Sequence, residues 1–352
     1  MSVKQKSLAA GFLTVPALLL LAACTVGPKY KKPAPPDLSG YTPAPVSTTS
    51  SAPGIGGGQA QQFVTGDIPG DWWALFHSKP LSDLIERSLK ANPNLKASQA
   101  ALLVARENVL AQRGAYYPSA TGSFSATRNK TSNDVSPATA SGALNYSLYT
   151  PQVVVSFVPD VFGLNRRNVE ALHAQEQQAR FALVAAHVTL SSNVAAAAIQ
   201  EASLRAQIDA ARELIGINTD MVKTLRNQFA AGYVGRLEVA AQESQLAQVT
   251  ATLPPLLKQL AQQRDLLATL SGGYPNQDLT EKFDLASLEL PQQVPLTLPS
   301  QLVEQRPDVL QAEENLHFAT AQIGVARANR FPSFPLTADA GSMAIEFSRI
   351  FA

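Results

Sequence analysis

The strongest pattern along the chain is a three-four alternation of apolar positions. After Pro93, residues Leu95, Ser98, Leu102, Ala105, Val109 and Gln112 follow steps of three and four. That is the period of a helix packed lengthwise against another. A longer seam reads Leu190, Val194, Ala197, Glu201, Leu204, Ile208, Ala211, Ile215, Asn218, Val222, Leu225 and Phe229. The helix around it is predicted from about Leu164 to Gln228, with Gly216 its only internal glycine and no proline. Its length would be roughly 95 Å. A compact globule has no use for such a helix, and the heptad period implies helices supercoiled side by side. The chain reverses at Ala231-Gly232-Tyr233-Val234-Gly235. A return helix shows Val239, Gln242, Leu246, Val249, Leu253, Leu256, Leu260, Gln263, Leu267 and Leu270. Pro254-Pro255 predicts a kink or break in it. Ser271-Gly272-Gly273-Tyr274-Pro275 marks its end. The polar seam residues Glu201 and Asn218 have two readings: they set register inside a coiled coil, or they line a wet tunnel wall.

Between the helices the period changes to two. Ser119 to Arg128 is small, polar and partly alternating, and Tyr149 to Val158 places Val153, Val155 and Phe157 on one face. Each run is about ten residues, the length of a tilted strand crossing a bilayer. The join from Asn129 to Ser147 is polar and turn-rich, as an exposed loop would be. Tyr116, Tyr117, Tyr146 and Tyr149 suit membrane interfaces, although tyrosines are common at strand ends in general. Two strands cannot close a barrel, and an open edge in lipid leaves backbone groups unsatisfied. Either several chains pool their strands, or these are not membrane strands.

A duplication is visible on a shift of 214 residues. Pro93 then falls on Pro307, Leu102 on Leu316, Ala105 on Ala319, Arg113 on Arg327, Pro118 on Pro332 and Ser119 on Ser333. The seam carries over as Val309, Ala312, Leu316, Ala319, Ile323 and Ala326. Heptad register alone could match the apolar positions; it does not explain the matched Pro and Arg.

The N-terminus has an export pattern. Lys4 and Lys6 precede an apolar run from Leu8 to Leu21, too short to span a bilayer stably. The run ends in Leu21-Ala22-Ala23-Cys24, a lipobox pattern around the chain's single cysteine. The alternative is an ordinary signal peptide that happens to contain Cys. Acylation of Cys24 would tether the mature N-terminus, each buried CH₂ contributing roughly 0.8 kcal/mol. From Thr25 to about Gly70 the chain is rich in Pro, Gly, Ser, Thr and Ala and reads as an extended leader. Folded structure is predicted to begin near Asp71-Trp72-Trp73-Ala74-Leu75-Phe76, with the paired Trp a buried anchor. Pro80-Leu81 opens a first helix that Asn92-Pro93 interrupts.

Composition narrows the function. The formal net charge is +1, falling to −1 if cleavage removes Lys4 and Lys6, so nothing favours nucleic acid. One cysteine excludes an intramolecular disulfide and a Cys-based zinc site. His173 and His187 lie about 21 Å apart along one helix and cannot share a metal within it. No GxSxG, P-loop or HExxH pattern is present. No catalytic residue, metal or cofactor is expected.

Several segments resemble a known family, the TolC-like outer membrane factors, in the NodT-type lipoprotein branch serving resistance-nodulation-division (RND) efflux systems. They are Cys24-Thr25-Val26-Gly27-Pro28-Lys29-Tyr30 with Pro33, Trp72-Trp73-Ala74-Leu75-Phe76 with Pro80-Leu81, Asp160-Val161-Phe162-Gly163 with Arg166-Arg167, and Arg306-Pro307-Asp308-Val309. The resemblance implies a mainly α fold with membrane strands. Long coiled-coil helices would form a periplasmic α-barrel, and each chain of a homotrimer would give four strands to a shared twelve-stranded outer-membrane β-barrel. It implies a passive export conduit for drugs or other small molecules, working with a periplasmic adaptor and an inner-membrane RND pump. It also implies an outer-membrane lipid anchor at an acylated (palmitate-bearing) Cys24, and Thr25 rather than Asp favours outer-membrane retention. In the family the helix tip docks the adaptor, which here means Gly232, Tyr233, Val234, Gly235 and Arg236; the alternative is a hairpin turn with no partner. The expected organisation is a signal peptide at 1–23, a lipidated leader at 24–70, and a first repeat at 71–275. That repeat would hold a β-hairpin at about 119–158 and a long helix hairpin at about 164–271. A linker at 276–299 and a second repeat at 300–352 complete the plan. The second repeat reads as truncated, about 130 residues short of the first, and 341–352 does not read as a family strand. A non-conducting fragment and a lipid-anchored structural trimeric coiled coil are the alternatives.

Overall fold

The computed structural model describes residues 25–34, 47–51, 60–130, 145–277, 279–296 and 303–350. Its elements in chain order are β1 (Gln62–Thr65), α1 (Lys79–Ala91), α2 (Pro93–Arg113), β2 (Ser119–Lys130), β3 (Asn145–Phe157), α3 (Leu164–Ala230), α4 (Arg236–Leu270), β4 (Gln293–Leu296), α5 (Pro307–Ala328) and β5 (Leu336–Gly341). The chain divides into two compact units.

One unit comprises Pro33–Leu102 and Ala179–Gln311. Its core is built on α1, whose Leu81, Leu84, Ile85 and Ser88 recur at helical spacing and are buried. They pack with Trp73, Leu95, Leu190, Val194, Ala195, Ala197, Ala198, Ala202 and Leu267. The alanines on α3 let neighbouring backbones approach closely. Trp73 is buried and Trp72 only partly so. Asn92 ends α1 and starts α2: its Oδ1 accepts from the Asn94 amide at 2.9 Å, and its Nδ2 donates to the Leu270 carbonyl at 3.1 Å. Pro93 follows at the first turn, where a missing N–H costs nothing.

The α3 seam is buried at Leu190, Val194, Ala197, Glu201, Leu204, Ile208, Ala211 and Val222, and Phe229 at the tip is exposed. The facing seam of α4 is half-buried from Gln242 to Gln263, with Val239 and Leu267 buried. Of the kink or break expected at Pro254-Pro255, the break does not occur: α4 is continuous from Arg236 to Leu270 with both prolines inside. Tertiary packing over the whole helix outweighs a local cost of about 3 kcal/mol. The end at Gly272 follows the sequence reading: Gly272 has φ +81, its amide donates to the Thr269 carbonyl, and the Gly273 amide donates to that of Ala268.

The leader and linker are more ordered than their composition suggests. β1 and β4 pair in parallel, Gln62 against Gln293 through Thr65 against Leu296. Phe283 and Leu288, in the stretch read as a linker, are buried in the core.

The other unit comprises Met1–Lys32, Leu103–Gln178 and Ala312–Ala352. It holds a three-stranded antiparallel sheet in the order β2-β3-β5. Here the seam copied onto α5 fails. Leu316 and Ile323 are about half exposed, and the buried positions are Ala321, Gly324 and Ala328. Small residues face α3 and the leader, so close backbone approach, which the shifted heptad could not show, chose the inner face. Past Gly341 the described residues form one isolated bridge and no strand. The pairing of β5 with β3 runs in constant register from Leu336 opposite Phe157 to Gly341 opposite Gln152, and resumes with Ala344 opposite Tyr149. The gap falls at Pro151. It has no N–H to give, so its carbonyl accepts from Ser342 at 3.2 Å without a return bond.

Candidate membrane sheet and helix tip

Directly opposed residues share a face of the sheet, so the register sorts its side chains. One face carries Ala120, Gly122, Phe124, Ala126, Arg128 and Lys130 of β2, Asn145, Ser147, Tyr149, Pro151, Val153, Val155 and Phe157 of β3, and Leu336, Ala338 and Ala340 of β5. The other carries Ser119, Thr121, Ser123, Ser125, Thr127 and Asn129, then Tyr146, Leu148, Thr150, Gln152, Val154 and Ser156, then Thr337, Asp339 and Gly341. Phe124, Val153, Val155 and Leu336 are exposed. Phe347 lies edge-on to Phe124 and Tyr149, with centroids at 6.4 and 5.7 Å. Among the described residues, the outer edges of β2 and β5 have no strand partner. A polar face and an exposed apolar face with two open edges are unstable alone in water or in lipid.

The passage from β3 to α3 explains the Asp-Val-Phe-Gly sequence. Asp160 caps the helix: Oδ1 accepts from the Asn165 amide at 2.9 Å and Oδ2 from the Arg166 amide at 2.8 Å. A carboxylate there also opposes the positive end of the helix dipole. Gly163 has φ +79, a left-handed conformation that favours glycine. Phe162 stacks on Phe331 at 4.6 Å. Asp160, Phe162 and Phe331, with Val158, Asn165 and Phe334, line a cavity of about 350 Å³. Asp160 is a capping acid, both of its oxygens taken by helix amides.

The predicted contact turn is a helix-terminating motif. Gly232 has φ +80, its amide donates to the Phe229 carbonyl at 2.9 Å, and the Tyr233 amide donates to that of Gln228 at 2.9 Å. Gly235 then begins α4 in extended conformation. Tyr233 is 82% exposed and Leu237 79% exposed, while Val234 is half-buried and Arg236 exposed. Leu237, in the first turn of α4, lies one residue past the turn that the sequence singles out. Below the tip, a groove of about 800 Å³ is lined by Val222, Arg226, Glu243, Leu246, Ala251 and Pro254. Arg226 and Glu243 pair across it at 2.6 Å. Asn218 accepts from Gln242 Nε2 at 2.7 Å, an interhelical bond. Cys24 lies outside the described residues, as does most of the loop between β2 and β3.

Glu201 is not on a wet wall. It is fully buried, and its Oε1 accepts from Arg205 Nε and Nη2 at 3.0 and 2.7 Å and from Arg264 Nη1 at 2.9 Å. Arg264 also donates to the carbonyls of Leu279 at 2.6 Å and Glu281 at 3.3 Å. Glu281 pairs with Arg87 at 2.7 Å. Burial would raise the Glu281 carboxyl, but bonds from Arg87 and the backbone outweigh it and leave it below its usual range. This chain of charges ties α1, α3, α4 and the linker together, the register-setting reading. His187 sits 6.3 Å from Trp73 between ring centroids, and His173 is exposed.

The profile of the outer membrane efflux protein family matches residues 84–273 and 298–352. The chain therefore belongs to that family, whose members are channels and not enzymes. It is 29% identical over 349 residues to the probable efflux pump outer membrane protein SepC of Pseudomonas putida, covering 97% of this chain and 69% of SepC. It is 25% identical over 328 residues to nodulation protein T of Rhizobium leguminosarum bv. trifolii, covering 91% of this chain and 64% of that protein. The solved structure of the outer-membrane channel OprN superposes with a TM-score of 0.77 at 26% identity, covering 94% of this chain and 70% of OprN. TolC-like channels of this kind form trimers and work with adaptor and inner-membrane pump partners.

Proposed function

We propose that this chain is one protomer of a homotrimeric, passive export conduit across the outer membrane, joined by a periplasmic adaptor to an inner-membrane RND pump. The observation that carries the reading is the sheet: its faces differ in polarity from Tyr149 to Phe157 and in the residues paired with them, and among the described residues both edges are open. Strands from further copies would satisfy those edges, putting Val153, Val155 and Phe124 against lipid and Thr121, Ser123 and Gln152 toward water. Long helices that bury small residues and one charge network make a stiff extension into the periplasm. Substrate specificity and energy then come from the pump, and the conduit contributes width and lining. Gly232, Tyr233, Val234, Gly235 and Arg236, joined by Leu237, form the adaptor contact, supported by the exposure of Tyr233 and Leu237 at a rigid turn. Cys24 bears the lipid.

The test is planar-bilayer conductance of the purified trimer. Discrete conductance steps that change with Gln152→Arg are expected. A crosslinked trimer that shows no steps in any bilayer would overturn the conduit and leave a lipid-anchored structural assembly.

A further inference from the structure

The segment just after Cys24 is held by a built receptor site. Arg167, only 3% exposed, donates from Nε to the Val26 carbonyl and from Nη2 to the Gly27 carbonyl, both at 3.2 Å. Its Nη1 is fixed by Glu170 at 2.7 Å. The Val26 amide donates to the Phe162 carbonyl at 3.3 Å, at the foot of β3. Three glycines make the fit possible. Gly27 has φ +107, and a Cβ there would come within 2.6 Å of the Gly324 Cα on α5. A Cβ on Gly324 would meet the Arg167 side chain at 2.8 Å, and one on Gly163 would meet Thr25 at 2.8 Å. Further along, Tyr30 stacks on His317 at 4.3 Å and donates to Glu313 at 3.1 Å. His317 lies between Glu314 and Glu170 at 3.3 and 3.2 Å, and Lys32 pairs with Glu313 at 3.3 Å.

We infer that Arg167 is a positioning residue for the membrane anchor: with Gly27, Gly163 and Gly324 it straps the leader across α3 and α5, so that the lipid enters the bilayer at the foot of the sheet. The inference rests on the reading that Cys24 is acylated. Thr25, which follows Cys24 in the sequence, is packed against Gly163 at the strand-to-helix turn. The anchor is then a fixed strut. A loose tether would need none of these contacts: a buried guanidinium satisfied by two carbonyls of a passing chain is a specific arrangement, because an unpaired buried charge is costly.

The experiment uses the full-length protein in nanodiscs of phosphatidylethanolamine and phosphatidylglycerol. Lys29 and Lys31 are exposed, but a protease must draw the flanking backbone into its cleft, so trypsin cuts there faster when the strap lifts. In Arg167→Met, cleavage after Lys29 is expected to be at least about tenfold faster than in the native chain, the scale of one lost charge-assisted bond, while β3 amide protection and the trimer are unchanged. Equal cleavage rates with the sheet intact would overturn the strap. If Arg167→Met does not insert, Gly27→Ala replaces it, because the change lies in the leader and leaves the Arg167 charge in place; the same rates decide. The mass of the released Cys24–Lys29 peptide separates the two ideas. A native peptide without acyl groups sinks the anchor, and a rate difference would still show that Arg167 holds the leader.

Discussion

Replacing Glu201 with alanine removes the acceptor of three guanidinium bonds inside the core of one unit. The two arginines respond differently. Arg205 is 22% exposed and sits on the same helix, so its head can turn to water. Arg264 is 16% exposed and is held in place by the Leu279 and Glu281 carbonyls, so it cannot turn to water as Arg205 can. Breaking a buried pair from one side costs about 3–5 kcal/mol, and the escape of Arg205 puts this site at the lower end, about 3 kcal/mol. In a unit of this size each kcal/mol shifts the melting temperature by about 2–4 °C, so Glu201→Ala should melt roughly 6–12 °C lower. Glu201→Gln keeps an acceptor and the volume and should lose about half as much. The double variant Glu201→Met with Arg264→Met removes both charges and should recover most of the loss, since a well-packed apolar pair often matches a buried ion pair. The assay is thermal unfolding of the detergent-solubilised protein by circular dichroism, with conductance measured in parallel. If Glu201→Ala melts within a degree of the native chain but changes ion selectivity, the carboxylate faces water in the assembled protein and the argument from burial is wrong.

The two faces of the sheet should separate in a pair of arginine variants: Val153→Arg should weaken insertion into vesicles by about 2–4 kcal/mol, read as lost trimer yield, and Gln152→Arg should insert normally. Equal yields would contradict the assignment of faces. Gly232→Val forces a β-branched residue into φ +80, costing about 1–2 kcal/mol locally; exchange at the Tyr233 amide should speed up and capture of the purified adaptor should weaken. Burial, then the hydrogen bond to Glu313, pushes the Tyr30 phenol up to about 12 from 10.0. The fold holds this proton more tightly than the unfolded chain, so the contribution is intact below pH 10.0 and fades as the pH rises through about 12. Ultraviolet titration should show a late-ionising phenol that Tyr30→Phe removes.

Local periodicity was enough to find every long helix, because a seam repeating at three and four is set by which residues can leave water. It also located the turn at Gly232 and the stop at Gly272, where a left-handed backbone requires glycine, and the alternating residues of β3. What it could not give was the choice between equivalent stripes or partners far away in the chain. Leu316 and Ile323 look like core in the sequence and are exposed. Gly324, unremarkable in the sequence, lies inward because Arg167 and Gly27 approach it from elements more than a hundred residues away. Glu201 reads equally well as a wet or a dry position until Arg264 and the Leu279 carbonyl are brought beside it. Gln62 and Gln293 pair although nothing local marks the leader and the linker as partners. The sequence by itself determined the helices, their turns and the kind of surface each strand presents, because these depend on neighbours a few residues apart. Only the tertiary structure decided which face is buried, where a charge is satisfied and how the leader is held, because those energies belong to contacts between distant segments.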